Sequence, residues 1–280
     1  MLSKPESKAG RLQRIVLELL REHEGAGAIP TSARFLFYEL VQRGVLSKEK
    51  KGTGRRPDQD LHEALTRLRD DELIPWDWIV DETRALDDHT GWSSVTNAVR
   101  AMAQQARLDP WNGDAPLILT ESRSLSGVLR DLAVEYGVKI AATNGQAGGF
   151  LRTDIAPSLS QGDIVLYIGD HDWQGHQIEA NTRGVLEHLV GELDWERIAL
   201  TEKQVVEYDL ERLRIMKPDR RYSPPRSHPA VETEALSQSV IVDVVRSALE
   251  ARLPEPLAAV QEREEEEERT AVIAALRRAP

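Results

Sequence analysis

Three acidic side chains occur where the pattern of the chain predicts the ends of strands. Glu121 follows the apolar segment PLILT, and Asp170 and Asp172 follow IVLYIG. The i, i+2 spacing of the two aspartates points both side chains the same way while the backbone stays extended. Magnesium is bound by one or two carboxylates, several waters and substrate phosphates. Any one of these acids alone is more typical of a turn or a helix cap, but the three together predict a Mg²⁺ site.

The elements that must position these acids form an α/β pattern. Between residues 116 and 193, continuous apolar segments of strand length alternate with amphipathic segments of helix length. This alternation favours a parallel sheet with helices on its faces. Ligands of such sheets bind at the carboxyl ends of the strands. We therefore predict an α/β domain over residues 117–210 that brings Glu121 together with the two aspartates.

A different pattern precedes this domain, over residues 1–85. An apolar stripe at 15–20 predicts a first helix, and Thr31 or Ser32 is placed to cap a second. A third helix is predicted from about 56 to 73 and a strand at 74–83. This order is typical of a winged helix-turn-helix domain, which inserts its third helix into a groove of DNA. Helix-turn-helix shapes also serve as protein-interaction modules, and that alternative stays open.

The charge distribution limits how the chain could hold DNA. A formal net charge of −11 argues against indiscriminate nucleic-acid binding, so contact with DNA depends on a local basic surface. Residues 48–56 carry five basic residues against a single glutamate. A solvated loop is the alternative interpretation of such a run. We predict that the DNA-binding residues are Lys48, Lys50, Lys51, Arg55, Arg56, Arg67 and Arg152.

Composition excludes several other classes of function. The absence of cysteine rules out disulfides, thiolate zinc sites and a cysteine nucleophile. No apolar segment approaches the roughly 18 residues that span a bilayer, so we expect a cytoplasmic protein without a membrane partner. Gly145, Gly148 and Gly149 are not followed by the lysine of a nucleotide-binding loop. His171 and His176 flank the acids, but we expect positioning or surface roles, because neutral imidazoles are uncommon Mg²⁺ ligands.

The remaining segments complete the predicted organisation. Residues 86–116 are expected to be a connector containing one helix, and residues 211–280 a helical C-terminal extension. Five consecutive glutamates at 264–268 favour a solvated helix there, facing away from DNA or toward a basic partner.

Two segments resemble a known family. TESRSLSGVLRDLAVEYGV, followed by VLYIGDHDWQGHQI, is similar to the Toprim domain, whose signature is a glutamate after one apolar strand and Asp-x-Asp after another, with a glycine shortly beyond. Those positions are Glu121, Asp170, Asp172 and Gly175. With the N-terminal segment RFLFY, residues 28–210 resemble the A subunit of topoisomerase VI, the related meiotic double-strand-break proteins and their bacterial Mini-A relatives. Arg123 stands one place later than the lysine usual in that family.

The resemblance implies a magnesium-dependent protein that binds and cleaves double-stranded DNA. It implies that Tyr38 is the nucleophile, assisted by Arg34 and Glu121, and that the tyrosine of one subunit of a homodimer meets the metal site of the other. Because no ATPase motif is present, a separate subunit would supply ATP hydrolysis. Tyr38 also lies among Phe35 and Phe37, which is equally natural for a buried aromatic residue. The alternative is then a hydrolytic Toprim nuclease, or a DNA-binding subunit of a larger complex, without tyrosine catalysis.

Overall fold

A computed structural model of the protein describes residues 7–47, 56–80, 90–98, 101, 107–144, 148–214 and 229–278. The N-terminal part contains three helices: α1 (Lys8–Gly25), α2 (Ala33–Gln42) and α3 (Pro57–Asp70). Serine hydroxyls cap the first two helices, because Ser7 Oγ accepts from the N–H of Gly10 and Ser32 Oγ from that of Phe35. The apolar stripes of all three helices share one core, which includes Val16, Leu19, Leu20, Leu36, Leu40, Leu61, Leu65 and Leu68.

The strand predicted after α3 is wrong over its first half. The structure has a 3₁₀ turn at Trp76–Trp78, and Ile79 forms an isolated parallel bridge with Thr31. The guanidinium of Arg69 donates to the carbonyl oxygens of Trp76 and Ile79, which satisfies acceptors that a sheet ladder would otherwise use. The three helices are therefore found as predicted, while the winged helix as a whole stays a prediction.

A four-stranded parallel sheet forms the centre of the molecule, which confirms the predicted parallel sheet and adds a fourth strand that was not predicted. Its strands are β1 (Leu117–Thr120), β2 (Lys139–Ala142), β3 (Ile164–Ile168) and β4 (Asp194–Ala199), in the order β2-β1-β3-β4. The chain leaves β1 toward one edge and β3 toward the other. The carboxyl ends of these two central strands therefore form the topological switch point, where α/β sheets bind ligands.

Helices cover both faces of the sheet. The segment predicted as one helix after β1 is interrupted at Leu129, and Gly148 begins three short consecutive helical turns. The helices of this part are α4 (Arg123–Val128), α5 (Arg130–Glu135), the turns Gly148–Phe150, Leu151–Ile155 and Ala156–Ser158, α6 (Trp173–Val190) and α7 (Glu202–Glu207).

The C-terminal part returns to the sheet. A two-residue strand β5 (Leu213–Arg214) pairs with β6 (Pro229–Ala230), and a 3₁₀ turn at Thr233–Ala235 leads to the last two helices. These are α8 (Gln238–Glu250) and α9 (Leu257–Arg278). Ile241, Val245 and Leu249 of α8 are buried in the same core as β1, β3 and α5, and Phe35 of α2 joins that core. Hydrophobic packing thus connects the N-terminal helices, the sheet and α8.

Candidate functional site

Glu121 and Asp170 lie side by side at the switch point of the sheet. Thr120, at the end of β1, is in register with Ile168 at the end of β3, and the N–H of Glu121 donates to the carbonyl of Ile168. The N–H of Asp170 in turn donates to Oε2 of Glu121 at 3.2 Å. The sequence thus placed these two acids correctly, because consecutive buried strands bring their carboxyl ends together.

Each of the three acids is held by backbone donors. Oδ1 of Asp170 accepts from both the N–H and the hydroxyl of Thr233, at 2.8 and 3.0 Å. Asp172 is the N-cap of α6, and its Oδ1 accepts from the N–H of Gly175 at 2.6 Å. These contacts engage Oδ1 of each aspartate and fix the orientation of both side chains.

Burial and mutual proximity change the pKa values of Glu121 and Asp170. Burial raises the pKa of Glu121 to about 7, and the charges of Asp170 and Asp172 add to this rise. Burial likewise raises the pKa of Asp170, against the opposing effects of Thr233 and the Arg34 guanidinium. Ionising Glu121 and Asp170 together is therefore costly in spite of the nearby arginines, and a bound divalent cation would lower that cost.

Two glycines allow this close arrangement. A Cβ atom at Gly175 would lie 2.3 Å from the carbonyl oxygen of Asp170, and one at Gly169 would lie 2.7 Å from the ring of Tyr167 and 3.0 Å from Oε2 of Glu121. The sequence marked Gly175 only as a motif position. The structure gives the reason. The first turn of α6 lies directly against the backbone of residues 169–172, which we call the aspartate loop.

Arg197 on β4 fixes the same loop from the other side and was missed by the sequence analysis. Its Nη1 donates to the carbonyl oxygens of Gly169, Asp170 and Leu200 at 2.9, 3.2 and 3.0 Å. Its Nε pairs with Oε2 of Glu179 on α6 at 2.7 Å. A single arginine in a charged segment carries no signal of this role, because the role depends on a strand that was not predicted.

Arg34 reaches the acid site of its own chain from α2. Its Nε pairs with Oε1 of Glu234 at 2.9 Å, and the hydroxyls of Ser122 and Ser124 donate to the same oxygen. Burial alone would lower the pKa of Arg34, but the carboxylates of Glu234 and Asp170 outweigh it and raise the pKa above its usual value. Glu234 was not among the predicted site residues, and it is 2% exposed.

Tyr38 lies one helical turn after Arg34 and is 9% exposed. Its ring packs edge-to-face against Phe37, with the centroids 5.8 Å apart, and the Arg34 guanidinium carbon lies 5.9 Å from its centroid. The side chain is thus a buried aromatic in this structure. Its role as a nucleophile stays a prediction.

The predicted DNA-binding residues are only partly covered by the structure. Lys48, Lys50, Lys51 and Arg55 lie outside the described residues, as does Gly145. The other three are solvent-exposed and have local partners: Arg56 pairs with Asp58, Arg67 with Glu63, and Arg152 donates to the carbonyl of Gly148.

A crevice of about 500 Å³ separates α2 and α3 from the start of α4. Four side chains that are or can become cationic line it: Arg34, His62, Arg69 and Arg123. Arg123 is exposed at the first position of α4, two residues after Glu121. The crevice also contains Asp58, and it is lined by the N-terminal helices and the first two residues of α4 but not by the three acids themselves.

The two histidines next to the acids contact glutamates. His171 Nε2 lies 2.9 Å from Oε2 of Glu202, and His176 Nδ1 lies 3.7 Å from Oε2 of Glu179. Their rings meet edge-to-face at 5.0 Å, and burial lowers the pKa of His176. Whether the two histidines have positioning or surface roles stays a prediction.

The donor chemistry of the site suits magnesium. Among the described residues, no three histidine, aspartate or glutamate side chains converge into a group that could hold a metal ion. The predicted convergence of all three acids is therefore not found, and Asp172 caps α6 instead. Magnesium does not require such a cage, because one or two carboxylates, waters and substrate phosphates complete its octahedron. Glu121 and Asp170, already joined by a hydrogen bond, fit this simpler requirement.

No protein-family model matches the chain, and no curated protein or solved structure shows significant similarity to it. The resemblance to Toprim proteins and the topoisomerase VI A subunit therefore stays a prediction from the motifs alone. Within the described part of the chain, no helix is both long enough and apolar enough to cross a membrane.

Proposed function

We propose that this protein binds double-stranded DNA and cleaves it in a magnesium-dependent reaction, as the resemblance to the topoisomerase VI A subunit implies. The observation that carries the proposal is the meeting of Glu121 and Asp170 at the switch point of a parallel sheet, with Arg34 held near them by Glu234. Two carboxylates for a cation and a fixed guanidinium beside them are a suitable set of groups for binding and polarising a phosphodiester.

Each residue of the site has a defined task in this proposal. Glu121 and Asp170 would hold Mg²⁺, which when bound would stabilise charge developing on the phosphate oxygens. Arg34 supplies a second positive charge on the side of the N-terminal helices. Arg197 keeps the aspartate loop in place through its three carbonyl contacts, and Asp172 begins α6 while adding negative charge to the cation site.

The crevice between α2, α3 and α4 offers a route by which DNA could reach the acids. A winged-helix fold of the N-terminal part would hold the duplex, with the basic residues 48–56 as additional phosphate contacts. Arg123 and His62 would then contact the backbone of the strand inside the crevice. This arrangement confines DNA contact to one surface, which suits a protein whose net charge is −11.

Two nucleophiles are compatible with this site. Placement of Arg34 one turn before Tyr38 favours the tyrosine, because a nearby cation stabilises a phenolate. Burial of Tyr38 favours water, because a side chain that is 9% exposed must move before it reaches a phosphate. In the first case the protein is a tyrosine-dependent cleaving enzyme acting as a homodimer, with ATP hydrolysis on a separate subunit. In the second it is a hydrolytic nuclease or a subunit of a larger DNA-binding complex.

Incubation with supercoiled plasmid and Mg²⁺, stopped with denaturant, tests the proposal and separates the two nucleophiles. Linear or nicked product that requires Mg²⁺ supports DNA cleavage, and intact plasmid under all conditions, alone and with cell extract, refutes it. A covalent protein–DNA adduct that disappears in Tyr38→Phe assigns the tyrosine. Cleavage without an adduct, undiminished in Tyr38→Phe, assigns water.

A further inference from the structure

Residues 231–236, which we call the strap, cross the mouth of the acid site. Val231 and His171 exchange both backbone hydrogen bonds, at 2.8 and 3.1 Å, so the strap is paired with the residue between the two aspartates. Thr233 and Glu234 follow within one 3₁₀ turn and are 1% and 2% exposed. A threonine and a glutamate are rarely buried this deeply without a specific partner.

The partner of Thr233 is Asp170. The N–H and the hydroxyl of Thr233 both donate to Oδ1 of Asp170, and this leaves Oδ2 as the oxygen that can meet a cation. Hydrogen bonds of this kind fix the rotamer of a ligating carboxylate, and their loss typically weakens metal binding by about 10-fold to 100-fold.

The partner of Glu234 is Arg34. Arg34 is also attracted by Asp170, whose charge contributes to its raised pKa. Glu234, with Ser122 and Ser124 bonded to the same oxygen, provides Arg34 with a buried counter-ion of its own. The other carboxylate of the strap, Glu232, lies farther from the guanidinium, at 3.9 Å. Loss of Glu234 would leave Arg34 attracted by Glu232 and Asp170, and so able to compete with a cation for Asp170.

The strap is also bound to the N-terminal helices away from the acids. Gln42 Nε2 donates to the carbonyl of Ala235 at 2.9 Å, and Gln238, two residues after the strap, donates to the carbonyls of Ala28 and Pro30. These contacts involve no acid of the site. They provide a control, because removing one of them weakens the strap without touching a carboxylate.

We propose that the strap assembles the metal site, with Thr233 as a positioning residue for Asp170 and Glu234 as the counter-ion that keeps Arg34 off the metal carboxylates. This inference rests on the proposed function only in taking Asp170 as a magnesium ligand. A strap that merely joined the two parts of the protein would change the free energy of unfolding and leave the Mg²⁺ affinity of the folded protein unchanged.

Calorimetric titration with Mg²⁺ alone, without DNA, distinguishes these cases. We expect Thr233→Val and Glu234→Gln each to weaken Mg²⁺ binding by about tenfold, and Thr233→Ser to bind like the wild type. Adding Arg34→Gln to Glu234→Gln should restore the affinity, because the competing guanidinium is gone. Gln42→Ala should lower the melting temperature and keep the wild-type affinity.

Wild-type affinity in both Thr233→Val and Glu234→Gln overturns the proposal, as does an equal loss in Gln42→Ala. If Glu234→Gln does not fold, the difference between Thr233→Ser and Thr233→Val decides. The proposed function can fail separately. If the wild type binds Mg²⁺ in the way described but never cleaves DNA, the proposal about the strap stands and the proposed DNA cleavage is refuted. A wild type that binds no Mg²⁺ overturns both.

Discussion

At the scale of single residues, Glu121 is the side chain whose chemistry depends most on a bound cation. Burial and the charges of Asp170 and Asp172 raise its pKa to about 7, so below that pH the carboxyl holds a proton that a cation must displace. The Mg²⁺ affinity should therefore rise by at least severalfold between about pH 6 and about pH 8. Calorimetry at both pH values measures this rise. The same affinity at both, or the same rise in Glu121→Gln, would contradict the assignment.

The stability of the metal-free protein should change with pH in the opposite direction to the Mg²⁺ affinity. A carboxyl whose pKa is raised on folding stabilises the folded state only while it is protonated, and this contribution is lost as the pH rises through about 7. Denaturant unfolding without Mg²⁺ should thus show a fall in stability from about pH 4.5, the ordinary pKa of a glutamate, to about pH 7, which Mg²⁺ reverses and Glu121→Gln removes.

Gly175 provides a steric prediction at the same scale. A methyl group there would lie 2.3 Å from the Asp170 carbonyl, so Gly175→Ala must displace either the aspartate loop or the first turn of α6. We expect a loss of about 1–3 kcal/mol of stability together with weaker Mg²⁺ binding. Gly184→Ala is the matched control. Gly184 also lies on α6, and a Cβ added there would meet no atom within 4 Å apart from the neighbouring backbone of its own helix. It should be neutral or stabilise by up to about 1 kcal/mol. Equal unfolding midpoints for the two variants would refute the packing argument.

At the scale of elements, β4 supports the site through Arg197. The guanidinium binds three carbonyl oxygens and Glu179 at once, and the three donors of a lysine cannot reproduce this geometry. Arg197→Lys should lower the free energy of unfolding by about 1–3 kcal/mol. Arg183→Lys, on an exposed face of α6 where the arginine pairs with Glu187, should change it by less than about 0.5 kcal/mol. Similar losses of unfolding free energy for the two variants, measured in urea, would show that Arg197 does not support the aspartate loop.

The elements also show how far sequence reasoning reaches. The strands β1 and β3 were predicted with their acids, because each is a continuous apolar run with a carboxylate one or two residues after its end. The edge strand β4, with the sequence DWERIA, was missed since its charged residues conceal the strand pattern. The strand predicted around Trp76 failed because the alternation of WDW is shared with a 3₁₀ turn whose carbonyls Arg69 binds.

The roles of the strap residues could not be predicted from the sequence. Thr233 and Glu234 have no local pattern that separates them from ordinary polar residues before a helix. Their roles come from partners 63 residues away at Asp170 and in another part of the chain at Arg34. Contacts between such distant segments are set by the packing of the whole fold.

At the scale of the whole molecule, an acidic protein must confine its DNA contacts to one surface. If DNA enters the crevice, Arg123→Glu should weaken duplex binding and flatten the salt dependence of the logarithmic affinity by about 0.9 for each phosphate that the protein no longer neutralises. Arg183→Glu, away from the crevice on α6, changes the net charge equally and should leave the slope unchanged. Filter binding over a series of salt concentrations measures both. Equal effects of the two variants would indicate a response to total charge and place the DNA elsewhere.

The most direct measurement of the central claim is the rate of plasmid cleavage by the wild type and by Asp170→Asn, with Mg²⁺ and with a chelator. Asparagine keeps the shape of the side chain and the acceptor for Thr233 but removes the charge that a cation needs. Our account predicts Mg²⁺-dependent cleavage by the wild type, a rate lower by roughly a hundredfold in the variant, and duplex affinity that stays close to wild type. Cleavage by Asp170→Asn at the wild-type rate, or wild-type cleavage that persists in the chelator, would contradict it.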